Sequence, residues 1–204
     1  MPQRLWTAKL TGRAAERIGR RMVTKKILFG GNILLRQIEM EDCTDSYVKW
    51  LNDSEVTQYL ETKWSIQNLE TIRDFVDAQR KNTHSILLAI ITKENNVHIG
   101  NIKIGPVNEH HKHADISYFI GNKEYWNKGI ATESIRLICK FGFEDLSLNK
   151  IEAGAYGTAA ASWKDLEKCG FRREGILREQ AYLNGKYISV FRYGLLKSEW
   201  KLNG

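Results

Sequence analysis

The sequence predicts an α+β domain built on a mixed, mostly antiparallel sheet of six to seven strands flanked by about four helices. Three observations carry that expectation. Residues 114–120, a loop, an amphipathic run and residues 150–156 form one strand–loop–helix–strand unit. The apolar runs 85–91 and 98–104 are split by the polar turn Lys93-Glu94-Asn95-Asn96 and read as a hairpin. Residues 173–182 and 186–196 meet at Leu183-Asn184-Gly185, whose Asn-Gly pair marks a tight hairpin turn.

The elements follow in order from a basic leader. Residues 1–31 hold eight Lys/Arg (Arg4, Lys9, Arg13, Arg17, Arg20, Arg21, Lys25, Lys26) against the single acid Glu16, which accounts for the whole formal charge of +7. Residues 32–204 are therefore neutral, and no electrostatic footprint for nucleic acid is expected on the folded part. The leader is expected to be a disordered extension, with translation starting naturally at Met22. A transit peptide, a polyanion-binding arm or a membrane-surface helix is the competing reading, and Gly12 and Gly19 with little apolar periodicity speak against the helix.

A single domain over 32–204 opens with a strand near residues 33–36. A helix over 44–52 turns Tyr47, Trp50 and Leu51 inward, and residues 55–64 form a connection. A helix over 68–80 turns Leu69, Ile72, Phe75 and Val76 inward. After the first hairpin, the strand at 114 ends in Gly121-Asn122. The next helix places Ile130, Ser134, Leu137, Ile138 and Phe141 on one face and Glu133, Arg136, Lys140 and Glu144 on the other, running to Asp145. A short helix over 160–168 is stopped by Gly170. No apolar run approaches the roughly 20 residues needed to cross a bilayer. Cys43, Cys139 and Cys169 are odd in number without close pairing, which suits reduced thiols and a cytoplasmic protein.

The loop before that helix holds the first chemistry. Gly129 and Ala131 keep bulk away from a helix start, where up to four free N–H groups and about half a positive charge gather, a setting suited to a pyrophosphate. Asn127 and Lys128 add side-chain donors. A plain strand–helix connection is the alternative. Neither the Gly-x-Gly-x-x-Gly run of dinucleotide folds nor the Gly-Lys-Ser/Thr of ATPases is present.

Three motifs stand in order. Residues 125–133 read Tyr-Trp-Asn-Lys-Gly-Ile-Ala-Thr-Glu; Ser162 is followed by Glu167-Lys168-Cys169-Gly170-Phe171 and Arg172-Arg173-Glu174-Gly175; and Leu35-Arg36-Gln37-Ile38-Glu39-Met40-Glu41-Asp42 opens the domain. Together they resemble the GNAT acetyltransferases, in the branch similar to the ribosomal-protein N-terminal acetyltransferases, over roughly residues 32–201. The resemblance implies a sheet splayed at the cofactor site and acetyl-CoA as co-substrate. It places the pantetheine along Tyr118, Phe119 and Ile120 and the phosphates on Trp126, Asn127, Lys128, Gly129, Ile130, Ala131 and Thr132. It also implies Ser162 as the acid that protonates the leaving thiolate. Ser162 shares a helical face with Leu166 and Cys169; a serine bonded to its own helix is the alternative. For the base, Asp115 stands where the branch has Glu, with a surface ion pair as its alternative, and Glu61 is the second candidate. Glu152 and Glu174 read as salt-bridge residues. The branch has Asn where this chain has Ala159, which removes a hydrogen bond worth about 1 kcal/mol. His110, His111 and His113 read as an exposed turn, with no metal expected.

The function expected is acetyl-CoA-dependent N-acetylation of a primary amine, a protein N-terminal α-amine or a small amine, by direct attack in a ternary complex. An amino sugar of surface polysaccharides is the alternative acceptor, since residues 50–61 also resemble branch members acting there. A non-catalytic acyl-CoA-binding regulatory module, or a polyanion-binding protein using the leader, is the alternative of another class. The oligomeric state is open, a homodimer included.

Overall fold

The computed structural model describes residues 27–202. Its strands are β1 (Leu28–Phe29), β2 (Ile33–Gln37), β3 (Ile86–Thr92), β4 (His98–Asn108), β5 (His113–Ile120), β6 (Lys150–Tyr156), β7 (Arg172–Leu183) and β8 (Lys186–Leu196). They form a single sheet in the order β1-β2-β3-β4-β5-β6-β8-β7, in which β5 and β6 are the one parallel pair among the described residues. The described α-helices are α1 (Asp45–Asn52), α2 (Ser54–Thr57), α3 (Leu69–Lys81), α4 (Ile130–Lys140), α5 (Ala160–Lys168) and α6 (Lys197–Leu202).

Eight strands and six helices exceed the expected six to seven and about four. The additional pieces are short: β1 has two residues, α2 four and α6 six, too few to show a period. Leu28 and Phe29 pair with Leu35 and Leu34 of β2, so the sheet begins before residue 32. The rest of the basic leader lies outside the described residues.

Strand alternation divides the core into two layers. All seven residues of β3 are buried. Ile86, Leu88 and Ile90 face the layer under α4 and α5, while Leu87, Ala89 and Ile91 face the layer under α1 and α3. In the second layer Ile72 and Val76 of α3 are 2% and 0% exposed, whereas Phe75, expected inward, is 45% exposed. Two contacts four residues apart define a narrow seam, and Phe75 is turned about 100° from Val76 on the wheel. In the first layer, α4 passes at Lys140 into a π-turn over Phe141–Asp145. The extra residue per turn lets both Phe141 and Phe143 enter the core.

The feature that positions the site is the limited pairing of β5 with β6. It runs from His113↔Lys150 to Ile116↔Ala153 and stops. Beyond it β5 stays paired with β4 through Ile120, and β6 stays paired with β8 through Tyr156. Each strand keeps its outer partner and turns a free edge toward the fork between them.

Candidate active site

A cleft of about 1040 Å³ fills that fork. Its walls are the free edges of β5 and β6, the loop into α4, the start of α5 and the segment 55–61.

At one end stands the start of α4. Gly129 is its N-cap with φ of 77°, and Asn127 also takes a positive φ of 59°. Among the described residues no side chain caps this helix; its first internal bond runs from the Glu133 N–H to the Gly129 carbonyl at 3.0 Å. A Cβ on Gly129 would meet nothing within 4 Å, so the glycine serves the left-handed backbone and faces open space. The uncapped amides and the helix dipole suit this end to an anion. Two anchors hold the loop. The Trp126 indole donates to the Ile120 carbonyl at 2.8 Å, and Lys123 Nζ bridges Asp53 Oδ2 at 2.7 Å and Glu55 Oε2 at 2.6 Å.

Not every loop residue faces the cleft. Trp126, Asn127, Gly129, Ile130 and Ala131 line it. The Thr132 hydroxyl donates to Asp165 Oδ1 at 3.0 Å, so its side chain ties α4 to α5 rather than serving a ligand. Lys128 is exposed, with Nζ 5.4 Å from the Tyr125 ring. Glu133, read from its spacing as a solvent-facing position, instead accepts the Asn32 N–H at 3.0 Å and clamps the β1–β2 turn onto α4. Its partners lie a hundred residues away, beyond any periodicity signal.

In the middle of the cleft Tyr118, Phe119 and Ile120 form the β5 edge. The Tyr118 hydroxyl donates to the Ser162 carbonyl at 3.1 Å and lies 3.1 Å from Ser162 Oγ. Ser162 thus turns to a phenol across the cleft rather than to its own helix. Burial pushes the Tyr118 phenol well above its usual range, so it stays protonated at neutral pH. Sequence reasoning used the backbone of Tyr118 and missed its hydroxyl. Alternation supplied a signal, since it aligns Tyr118 with Ile116 and Ile120 on the face toward α5. Ala159 is the buried N-cap of α5 and gives it no side-chain cap.

Residues 58–61 wall the cleft as well. Glu61 accepts from the Tyr156 hydroxyl through Oε1 and from the Trp64 indole through Oε2 at 3.2 Å. Burial, followed by the Glu61 carboxylate, pushes the Tyr156 phenol up to about 12. Tyr59 donates to the Thr158 carbonyl at 3.2 Å and packs edge-on against Tyr156. The segment thereby straps across the fork, held by Lys123 on the β5 side and by Tyr59 and Glu61 on the β6 side. Asp115 lies off the cleft lining and pairs with Arg192 Nη2 at 2.8 Å. Glu152 contacts His113 at 2.7 Å and Lys150 at 3.3 Å, and Lys150 reaches Glu174 at 2.6 Å. No group of three metal-ligating side chains gathers among the described residues.

Comparison with known proteins bears on this geometry. The acetyltransferase (GNAT) domain family model matches residues 32–172. The uncharacterized N-acetyltransferase p20 of Bacillus licheniformis is 31% identical over 178 residues, covering 85% of this chain and 97% of that protein. The spermidine N(1)-acetyltransferase of Escherichia coli K12 is 25% identical over 171 residues, covering 83% and 88%. The crystal structure of spermidine N-acetyltransferase from Vibrio cholerae, in complex with CoA and spermine, superposes with a TM-score of 0.76 at 22% identity, covering 84% and 99%.

Proposed function

The chain belongs to the GNAT acetyltransferases and is an N-acetyltransferase that uses acetyl-CoA, and from that premise we propose that it acetylates a primary amine by direct attack in a ternary complex. The observation that carries this reading is the uncapped start of α4, opening onto the fork between β5 and β6. The donor brings the acyl group as a thioester. The amides of residues 127–132 hold its phosphates, and the free edge of β5 over Tyr118, Phe119 and Ile120 aligns its arm. Thr132 takes part through its backbone alone.

Glu61 receives the proton that an ammonium must lose before attack, with Tyr156 and Trp64 orienting its two oxygens. As nitrogen bonds to the acyl carbon, the carbon–sulfur bond breaks and Ser162 donates a proton to the leaving thiolate. The hydroxyl is refilled from the attacking nitrogen through water, beside a Tyr118 phenol that stays protonated. Asp115 is engaged by Arg192, which favours Glu61 as the base. No acyl-enzyme is invoked: burial pushes the Cys169 thiol up to about 11 and raises Cys139 as well, leaving little thiolate at neutral pH.

A thiol-release assay with acetyl-CoA over a panel of amines tests this reading. The panel contains peptide N-termini, amino sugars and, following the spermidine acetyltransferase relatives, polyamines. Turnover on at least one amine is expected. Tight acetyl-CoA binding without turnover on any amine would make the chain a non-catalytic binding module instead.

A further inference from the structure

Resting on the acetyltransferase reading above, we propose that Arg192 selects the acceptor, favouring an amine that carries a carbonyl or carboxylate oxygen close by over an amine with none. Arg192 stands on β8 opposite Gly154 of β6 and Gly175 of β7, so neither neighbouring strand carries a side chain beside it. A Cβ at Gly154 would lie 3.2 Å from Arg192 Nη1, tighter than ordinary contact, which shows how closely the guanidinium lies over that strand. Nη2 is held by Asp115 Oδ1 at 2.8 Å. Among the described residues Nη1 and Nε have no acceptor, while Arg192 lines the cleft. Gly154 is the first β6 residue past the last β5–β6 pair, Ile116↔Ala153. The guanidinium is therefore placed at the root of the fork, oriented by a carboxylate, with donors to spare.

The charges around the cleft point the same way. Glu55 is paired with Lys123, Asp165 with Lys168 and Asp115 with Arg192. Glu61 differs: the partners of its oxygens are the neutral donors Tyr156 and Trp64. One carboxylate outside any ion pair, with Lys63 Nζ over the neighbouring Trp64 and Tyr156 rings, suits at most one ammonium, whereas a polyamine needs a surplus of negative charge that these pairs do not leave. An acceptor with its ammonium at Glu61 and an oxygen at Arg192 satisfies both ends. A peptide N-terminus, an α-amine next to a carbonyl, has that chemistry.

Steady-state kinetics on the full chain with an alanine-terminated tripeptide, n-butylamine and spermidine test the assignment. Wild type should prefer the tripeptide by kcat/KM. Arg192→Met should raise the tripeptide KM at least tenfold, with acetyl-CoA affinity by titration calorimetry unchanged, and should erase the preference over n-butylamine. Arg192→Lys, which keeps the charge and the pairing with Asp115, should retain part of it and covers the case of a poorly folded Met variant. A wild-type preference for spermidine or n-butylamine overturns the proposal. So does an equal fall in kcat on all three amines in the variants, the mark of a residue serving the thioester. Absence of turnover on every amine removes the acetyltransferase reading, and this assignment with it.

Discussion

Ser162 and Tyr118 set the proton inventory at the leaving-group side. General acids contribute roughly 10²–10⁴ to rate, so Ser162→Ala should lower kcat about 100-fold. Its acetyl-CoA dissociation constant should stay at the wild-type value, because the Ser162 hydroxyl meets the Tyr118 phenol rather than the amides at the start of α4. An unaltered kcat would remove Ser162 from the mechanism. A second residue-scale expectation concerns His98. Its ring is half-buried, with Nε2 3.0 Å from the Gly100 carbonyl and 2.9 Å from Asn101 Oδ1. Burial lowers its pKa below the ordinary 6.5, outweighing the opposite pull of Asn101 and Asp42. The unfolded chain takes up a proton near pH 6.5 while the folded one resists. The stability His98 contributes is thus complete above that pH and is lost as pH falls below it, at up to about 1.4 kcal/mol per pH unit. Urea denaturation between pH 7 and 5 should show this slope, and His98→Gln should flatten it. An identical slope in the variant would assign the dependence elsewhere.

At the scale of elements, the clamp of Glu133 on the β1–β2 turn links the site to the sheet edge. Its carboxylate takes the Asn32 N–H at 3.0 Å and the Asn32 amide at 3.1 Å, and Gly30 leaves the space it occupies. Charge-assisted hydrogen bonds contribute about 1.5–3 kcal/mol, so Glu133→Ala should cost about 2 kcal/mol in denaturant unfolding. A loss below about 0.5 kcal/mol would mean that the turn closes without it. Legibility divides along the same line. The long elements, β3 and α4 above all, were readable because burial on fixed faces leaves a period of two or 3.6. Gly129 was readable because one backbone conformation demands it. Glu133, Lys123, Tyr156 and Arg192 were not assigned their contacts, because each depends on a partner distant in sequence that only the assembled sheet brings near. Phe75 failed for the opposite reason: an apolar residue of the right spacing fell just outside a seam set by Ile72 and Val76.

Across the whole molecule, the sheet ends in two managed edges and opens in the middle. On one side β1 is two residues long. On the other, β7 carries register shifts between Arg173 and Gly175 and between Leu177 and Ala181, and it is studded with Arg172, Arg173, Arg178 and Glu179. Short length, bulges and charge are the usual means of discouraging edge pairing. The fork between β5 and β6 is thus the place where strand edges face an interior cleft, and the bare start of α4 stands at its mouth. The most direct test compares acetyl-CoA with S-acetyl-pantetheine, which lacks the phosphates, by titration calorimetry. Acetyl-CoA should bind at least about 100-fold tighter, and Gly129→Ala, which must be held in a left-handed backbone at about 1–2 kcal/mol, should weaken acetyl-CoA roughly five- to thirtyfold and leave acetyl-pantetheine unchanged. Equal affinity for the two compounds, or a Gly129→Ala variant that binds acetyl-CoA like wild type, would contradict the assignment of this helix start to the phosphates.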